Sequence, residues 1–261
     1  MGDDRHGDGA RRPKRPPRDQ ASTSGPGRDR RAQPQHGSNE EDRGPRIPPE
    51  IEAKQLAPEV RRELSTLDRA NADAVARHLV AAGELIDEDP EAALSHARAA
   101  RARSGRIAAV REAVGIAAYQ CGDWSQAISE LRAARRMGSK SPLLPLIADC
   151  ERGLGRPERA LELARGPEAA KLTGDEADEM RIVTAGARAD LGQLEQALTV
   201  LSTPQPDPTR TGTIAARLFY AYADTLLALD RAAEAVQWFL HAAEADVEGV
   251  TDAEDRVSEL G

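Results

Sequence analysis

The sequence predicts an all-α protein built from consecutive helix–turn–helix units, and three observations support this prediction. The 261 residues include only 3% aromatic residues and much alanine, which is typical of closely packed helices. Strands of β-sandwiches and barrels favour aromatic and β-branched residues instead. From Pro58 onwards, apolar residues recur with helical spacing. A short phrase with a fixed alanine also returns several times along the chain.

Residues 1–50 are predicted to be a disordered tail. They hold 11 Lys/Arg and 9 Asp/Glu, a net charge of +2. The remaining residues carry a net charge of −10, which gives the total of −8. The segment is rich in Pro, Gly, Ser and Gln, and Ile47 is its only large aliphatic residue. It therefore cannot bury enough apolar surface to offset the entropy that ordering would cost.

The basic tail residues do not form a targeting signal. No apolar segment follows them, so neither a secretory nor a twin-arginine signal is predicted. No apolar run approaches the length of a membrane-spanning helix either. Two cysteines, Cys121 and Cys150, exclude a disulfide framework and are expected to be small core residues. The expected location is the cytoplasm.

A capping helix is predicted in front of the repeats. Val60, Leu64 and Leu67 fall at i, i+4 and i+7 and so share one helical stripe. Pro58 suits the first turn of a helix, where its missing N–H is not needed. These residues place the first cap over residues 58–70.

A second capping helix is predicted at the other end. Thr251 and Glu254 have the spacing of a capping box in front of the apolar Val257 and Leu260. This cap is placed over residues 251–260. Stacked repeats need such caps because each repeat leaves an apolar face for its neighbour.

The repeating phrase occurs five times between the two caps. It reads Gly-Asp-Trp-Ser-Gln-Ala-Ile from Gly122, and related phrases start at Gly155, Gly192 and Asp230, with a weaker copy at Glu88. The alanines that anchor the phrases are Ala93, Ala127, Ala160, Ala197 and Ala235. A period of about 34 residues with this pattern is typical of tetratricopeptide repeats (TPRs).

The sequence resembles the TPR family position by position. Val114 and Gly115 match the family's Leu-Gly pair in helix A of the second unit. Other units depart from the pattern, since Glu84, Glu151 and Arg188 replace the family's tyrosine. The helix B residues that match the family's small and aromatic positions are Ala127, Leu131 and Ala134, and in the last unit Ala235, Phe239 and Ala242.

This resemblance covers residues 74–247 and implies a right-handed α-α superhelix of about five repeats over residues 51–261. The chain also resembles bacterial TPR proteins that carry an Arg-rich N-terminal tail. The implied repeats are residues 74–107, 108–140, 141–177, 178–215 and 216–249.

No complete catalytic or metal-binding motif is present in the sequence. Gly138-Ser139-Lys140-Ser141 has the ending of a phosphate-binding loop, but Ala133 stands where the first glycine is required. His241 and Glu244 have the spacing of half a metal site, and no second pair accompanies them. We therefore expect a non-catalytic protein with no cofactor, no metal and no small-molecule substrate.

The groove that TPR proteins form from their A helices is the candidate binding site. By resemblance, the candidate groove residues are Glu112, Tyr119, Asp149, Arg152, Arg181, Tyr220 and Asp224. The face has five acidic positions against two arginines, Arg152 and Arg217, which favours a basic or neutral peptide. The five acids are Glu112, Asp149, Glu179, Asp190 and Asp224. The Lys/Asn clamp of the chaperone-binding subfamily is missing, so capture of a chaperone tail is not expected.

Arg181 and Arg188 are two helical turns apart. They can share one face of a helix and clamp an acidic group. The alternative is an exposed helix whose arginines extend their charged ends into water.

Three functional hypotheses follow from the sequence. The leading one is a scaffold that binds a peptide or a partner protein along the groove. The second is association with nucleic acid or ribosomes, because disordered basic segments bind phosphates without sequence preference. The tail residues that would make these contacts are Arg11, Arg12, Lys14, Arg15, Arg28, Arg30 and Arg31. The third is self-regulation, in which the basic tail lies on the acidic repeats.

Overall fold

The computed structural model of the protein describes residues 44–261. Most of the predicted tail lies outside the described residues. This includes all seven basic residues that were named as candidate nucleic-acid contacts.

The regular secondary structure of the described residues is entirely helical, and no strand occurs among them. Short 3-10 helices span Ala53–Gln55 and Ala169–Lys171. The α-helices are α1 (Pro58–Leu64), α2 (Arg69–Leu85), α3 (Pro90–Arg103), α4 (Ala108–Gln120), α5 (Trp124–Arg136), α6 (Leu144–Gly153), α7 (Pro157–Ala164), α8 (Asp175–Asp190), α9 (Leu194–Ser202), α10 (Thr213–Ala228), α11 (Ala232–Ala245) and α12 (Ala253–Leu260).

Five antiparallel hairpins follow one another along the chain: α2–α3, α4–α5, α6–α7, α8–α9 and α10–α11. We call the first helix of each hairpin the A helix and the second the B helix. Each B helix packs on the A helix of the next hairpin, and A helices also contact each other at α2–α4, α6–α8 and α8–α10. This serial packing is that of a TPR-like helical solenoid, and the predicted all-α fold class is confirmed.

The repeated phrase forms the turn and the helix crossing of each hairpin. All five anchoring alanines are buried, with at most 1% of their surface exposed. The turn before the crossing contains a residue with positive φ in four hairpins: Gly122, Gly155, Gly192 and Asp230. Glycine adopts this left-handed conformation without steric cost, and aspartate is one of the few other residues that tolerate it.

Both capping helices are shorter than the predicted ranges. Helix α1 ends at Leu64, and α2 begins at Arg69 because the carboxylate of Asp68 accepts a hydrogen bond of 3.0 Å from the amide of Asn71. At the other end, α12 begins at Ala253.

The predicted capping box at α12 is wrong. Asp252, and not Thr251, precedes the helix, and its side chain makes no capping hydrogen bond. Thr251 instead donates its amide (2.7 Å) and its hydroxyl (2.6 Å) to the carboxylate of Asp246. Asp246 thus accepts the hydrogen bond that the amide of Thr251 would have donated to Glu254 in a capping box, and its charge makes it a strong acceptor.

The predicted disorder up to residue 50 is wrong for its last residues, 44–50. Ile47 is partly buried there and packs with Ile51, Val80 and Ala81. The side chain of Arg77 fixes the next turn by donating to the Ile51 carbonyl at 2.8 Å. Residues 44–50 are therefore placed against α2 by apolar contacts that include Ile47, although the composition of the whole tail predicts disorder.

None of the helices in residues 44–261 has both the length and the apolar character that crossing a membrane requires.

Candidate functional site

A chain of polar contacts connects three successive A helices. The hydroxyl of Tyr119 on α4 donates to Asp149 Oδ2 on α6 at 2.5 Å. Arg152 donates to Asp149 Oδ1 at 2.7 Å and to Asp190 Oδ2 on α8 at 2.8 Å. The predicted groove residues Tyr119, Asp149 and Arg152 are therefore brought together, and we call these contacts the central cluster.

Two glycines allow the central cluster to form. A Cβ atom on Gly186 would lie 2.5 Å from the guanidinium carbon of Arg152, so only glycine leaves room for this side chain. A Cβ atom on Gly153 would lie 2.5 Å from the ring of Trp124. The Trp124 ring in turn meets the edge of Tyr119 at 5.2 Å between centroids. Small residues on the A helices thus position the large ones.

An open cleft of about 580 Å³ adjoins these side chains. Trp124, Asp149, Arg152 and Asp190 line it, together with Glu158 at the start of α7. We call it the central cleft. Its size is in the range of clefts that bind small ligands or a few residues of a peptide.

The electrostatics of the cluster keep its donors protonated. Burial, and then the charge of Asp149, raise the pKa of Tyr119 well above its usual range. Burial opposes the charge of Arg152, but its bonds to Asp190 and Asp149 outweigh this effect and raise its pKa. The cluster therefore presents a neutral hydroxyl and a charged guanidinium over the physiological pH range.

The carboxylate of Glu112 lies apart from this cluster, towards the N-terminal end of the repeats. It accepts hydrogen bonds from the hydroxyls of Ser139 (2.7 Å) and Ser141 (2.6 Å) in the loop between α5 and α6. A cleft of about 870 Å³ opens here between α1, α4 and this loop. We call it the N-terminal cleft.

Tyr220 and Asp224 lie at the opposite end, next to α12. Arg256 of α12 approaches Asp224 at 3.5 Å and lies over the ring of Phe239, 5.2 Å from its centroid. Burial and the neighbouring carboxylate of Asp252 raise the pKa of Tyr220 to about 12. The capping helix therefore engages both candidate residues within the fold.

Arg181 supports the end of α9 and has no contact with the central cluster. Its guanidinium donates to the carbonyls of Leu201 (2.5 Å) and Pro204 (2.6 Å) and to the carboxylate of Asp178 (2.8 Å). Arg188 donates separately, to Gln193. The two arginines do not form the clamp that their spacing suggested, because each is used by a different neighbouring segment.

Every acidic residue expected in the groove has a partner within the fold. Besides the contacts above, Glu179 pairs with Arg217 of α10, and burial raises the pKa of Glu179. These pairings remove much of the free negative charge on which the expectation of a basic peptide was based.

Other candidate chemical groups stay isolated in the structure. Both cysteines are free, and burial raises the pKa of Cys150 to about 12. His241 Nδ1 lies 3.9 Å from Glu244 Oε2, on the same helix. Within residues 44–261, no group of three or more His, Cys, Asp or Glu side chains is arranged to hold a metal ion.

Trp124, Gly153 and Gly186 were not predicted to belong to the candidate site. A signal was present, because a glycine recurs in the interior or at the end of the A helices at residues 115, 153 and 186. Glycine is unfavourable inside a helix, so its recurrence there indicates a close approach by a neighbouring side chain.

Comparison with known proteins identifies no family, and it finds similar solved structures. No family model matches the sequence, and no curated protein matches it. Among solved structures, the chain is similar to YrrB, described as a TPR protein with an unusual peptide-binding site. The two share 19% identity over 74% of this chain and 94% of YrrB, with a TM-score of 0.43. The fold assignment above rests on the helix order and contacts alone.

Proposed function

We propose that this protein is a non-catalytic interaction module that binds an extended peptide or a partner protein along the face of its A helices. The observation that carries the proposal is the composition of the central cluster. Trp124 and Arg152 are half-buried and line the central cleft, and Tyr119, which is also half-buried, contacts the ring of Trp124. Tyrosine, tryptophan and arginine are the residue types that dominate binding energy at protein interfaces.

The central cluster is also fixed before a ligand arrives. Its side chains are held by contacts across α4, α5, α6 and α8, so little side-chain entropy is lost when a partner binds. A surface that is already ordered favours a peptide that adapts to it.

Selection of peptides from a random displayed library on the full chain tests this proposal. The selected peptides are then rebound to a variant of the central cleft, Gln120→Arg with Glu158→Arg. Both residues are exposed, Gln120 next to Tyr119 and Glu158 in the cleft wall. We expect the affinity to fall about tenfold or more, as for loss of a central interface contact.

The matched control places the same charge change on exposed B-helix positions that do not line the central cleft, Ser129→Arg with Glu195→Arg. This control should bind the selected peptides like the wild type. Equal losses in both variants, or selection of no peptide at all, would contradict docking on the A helices.

The nucleic-acid and ribosome hypothesis stays a prediction, since its residues lie outside the described part of the chain. The expected cytoplasmic location and the likeness to bacterial TPR proteins with Arg-rich tails also stay predictions.

A further inference from the structure

A third cleft lies between the third and fourth hairpins. It has a volume of about 450 Å³ and opens between the end of α7, the segment that follows this helix, α8 and Val200 of α9. We call it the α7–α8 cleft. It shares no lining residue with the central cleft or with the N-terminal cleft. A ligand in this cleft is therefore bound apart from the proposed docking site.

The α7–α8 cleft lies where α7 ends early. This helix spans 8 residues, whereas α5 in the preceding hairpin spans 13. Pro167 does not continue the helix, because proline has no amide N–H and disfavours the helical conformation of the residue before it, Gly166. The chain instead forms the 3-10 helix Ala169–Lys171, and the cleft opens between this segment and α8.

Apolar side chains form most of the lining of the cleft. They include Leu161, Ala164, Ala169, Ala170, Met180 and Val200. Covering such a surface with an aliphatic chain removes apolar area from water on both sides of the contact, which is favourable.

Three arginines and no carboxylate complete the charged part of this lining: Arg165, Arg181 and Arg188. Arg181 is paired with Asp178 at 2.8 Å. Arg188 donates to the neutral amide of Gln193, and its Nε is buried without a hydrogen-bond partner. Arg165 is exposed. Neither Arg165 nor Arg188 forms an ion pair with another residue of the range 44–261, so both charges lack a counterion there.

The carboxylates on either side of Arg165 in the chain are paired elsewhere. Glu162 forms an ion pair with Arg159 on the same helix, 2.7 Å apart. Glu168 forms an ion pair with Arg135 of α5. Each of these carboxylates is balanced by its own arginine and leaves the charge of Arg165 in place.

The charges at the start of α8 do not cancel the excess either. The carboxylate of Asp178 is shared by Arg181 and by Arg210 before α10. Glu176 and Lys171 are exposed, lie outside the lining and carry opposite charges. The cleft therefore keeps two positive charges, those of Arg165 and Arg188.

We propose that the α7–α8 cleft binds an aliphatic carboxylate, a small molecule with one carboxylate on a short apolar chain. Arg165 and Arg188 hold the carboxylate, and the chain covers the apolar lining. The planar guanidinium matches the geometry of a carboxylate. A volume of about 450 Å³ is in the range of small-ligand sites. This ligand site goes beyond the proposed docking function, which does not use this cleft.

The remaining polar groups of the lining favour a carboxylate over an anion with more oxygen atoms. Thr184 already donates its hydroxyl to the carbonyl of Met180 at 2.6 Å. The guanidinium of Arg181 is held by the carbonyls of Leu201 and Pro204 as well as by Asp178. The available side-chain donors are thus the two unpaired guanidiniums, which suit the two oxygens of one carboxylate.

Isothermal titration calorimetry of the full chain with four probes tests this chemistry. The probes are octanoate, octylammonium with the opposite charge, neutral 1-octanol, and acetate, which has the charge without the chain. We expect octanoate to bind most tightly, because it alone combines the two features that the cleft recognises. Its affinity should fall between about 0.05 M and about 0.5 M salt, since exposed ion pairs are screened.

Two variants locate the binding in the cleft. Arg165→Gln with Arg188→Gln should weaken octanoate about tenfold or more, since two charge-assisted hydrogen bonds are lost. Ala170→Glu leaves both arginines in place and adds a negative charge at an exposed position of the lining. It should weaken octanoate as well, because like charges repel. Circular dichroism checks that both variants keep their helical content.

Matched controls carry the same changes outside the cleft. Arg69→Gln with Arg136→Gln neutralises two exposed arginines that do not line it. Ala102→Glu adds a carboxylate at an exposed position of α3. Both controls should bind octanoate like the wild type.

The proposal is overturned if octanoate does not bind at concentrations up to about 10 mM. It is also overturned if octylammonium, 1-octanol or acetate binds as tightly as octanoate, or if the cleft variants bind octanoate like their controls. Selection of library peptides on the central cleft does not depend on any of these results. Failure of the ligand site and failure of docking on the A helices are therefore distinguishable.

Discussion

Two histidines face each other inside the first hairpin. His78 on α2 and His96 on α3 are 2% and 4% exposed, and their Nδ1 atoms are 3.0 Å apart. One of the two nitrogens must carry a proton and the other accept it, since two acceptors would repel. The charged groups nearest to His78 besides His96 are Arg103 and Arg77, and both are positive. Burial and these positive neighbours therefore disfavour protonation of His78 in the folded protein.

We predict that this pair lowers the stability of the protein in mild acid. Burial first, and then the nearby positive groups, lower the pKa of His78 from 6.5 to about 4 in the folded state. Between these two values the unfolded chain binds a proton that the folded chain does not, so stability falls as the pH drops from 6.5 towards 4. The shift corresponds to at most about 3 kcal/mol.

Urea unfolding of the wild type and of His78→Leu with His96→Leu, followed from pH 7 to pH 5, measures this contribution. Carboxylates titrate in both proteins, so the difference between the two pH profiles isolates the histidines. The variant should lose less stability than the wild type over this interval. Parallel profiles would show that the pair does not titrate as its surroundings suggest.

At the scale of elements, small residues set how closely the helices of one hairpin approach. Ala127 of α5 is fully buried, and Leu131 of the same helix lies against α4 at Gly115, where a Cβ atom would come within 2.6 Å of it. Close contact along this helix pair depends on both positions remaining small.

We expect Ala127→Leu to destabilise the protein by about 1–3 kcal/mol, because added methylenes in a packed crossing force strain on their neighbours. Chemical denaturation measures the change. Ala102→Leu, at an exposed position of α3, is the control and should change the stability by less than about 0.5 kcal/mol. An equal effect of the two substitutions would mean that the crossing lies elsewhere.

Buried carboxylates connect elements that the apolar pattern does not. Glu130 on α5 is 3% exposed and pairs with Arg101 of α3 at 3.0 Å and with Arg111 of α4 at 2.8 Å. Asp178 on α8 pairs with Arg181 of the same helix and with Arg210, which precedes α10. Such pairs fix the relative position of neighbouring helices, and removing one partner leaves an uncompensated buried charge.

At the scale of the repeats, the core is divided into successive clusters. One cluster joins α2 to α6, another joins α6 to α8, and a third joins α8 to α12. Each hairpin therefore depends mainly on its direct neighbours, as in other repeat proteins.

A local defect should consequently stay local. We predict that Phe239→Leu, in the fully buried centre of α11, increases amide hydrogen exchange in α10–α12 and leaves α2 and α3 nearly unchanged. Hydrogen exchange followed by mass spectrometry measures this distribution. Leu240→Ala, at the exposed neighbouring position, should alter exchange little. A uniform increase along all helices after Phe239→Leu would indicate one cooperative unit.

Much of the fold was predictable because its signals are local. The phrase from Gly122 to Ile128 contains the turn residue, the helix cap Asp123 and the crossing alanine within seven positions. In the last phrase, Asp230 stands in place of the glycine and keeps the positive φ of the turn. Helix ends were less predictable, since the bond from Thr251 to Asp246 depends on a loop whose path the pattern does not define.

The candidate binding face was predictable only in part, because its chemistry depends on pairs of residues far apart in the chain. The sequence by itself determined the helix types, their turns and their serial order, since period, caps and crossing alanines act within one repeat. Only the tertiary structure decided which charges remain available. It paired Asp149 with Arg152 and Tyr119, and it directed the side chain of Arg181 to the end of α9. The physical reason is range: helix formation is governed by residues three or four positions apart, whereas ion pairs form between side chains that folding brings together.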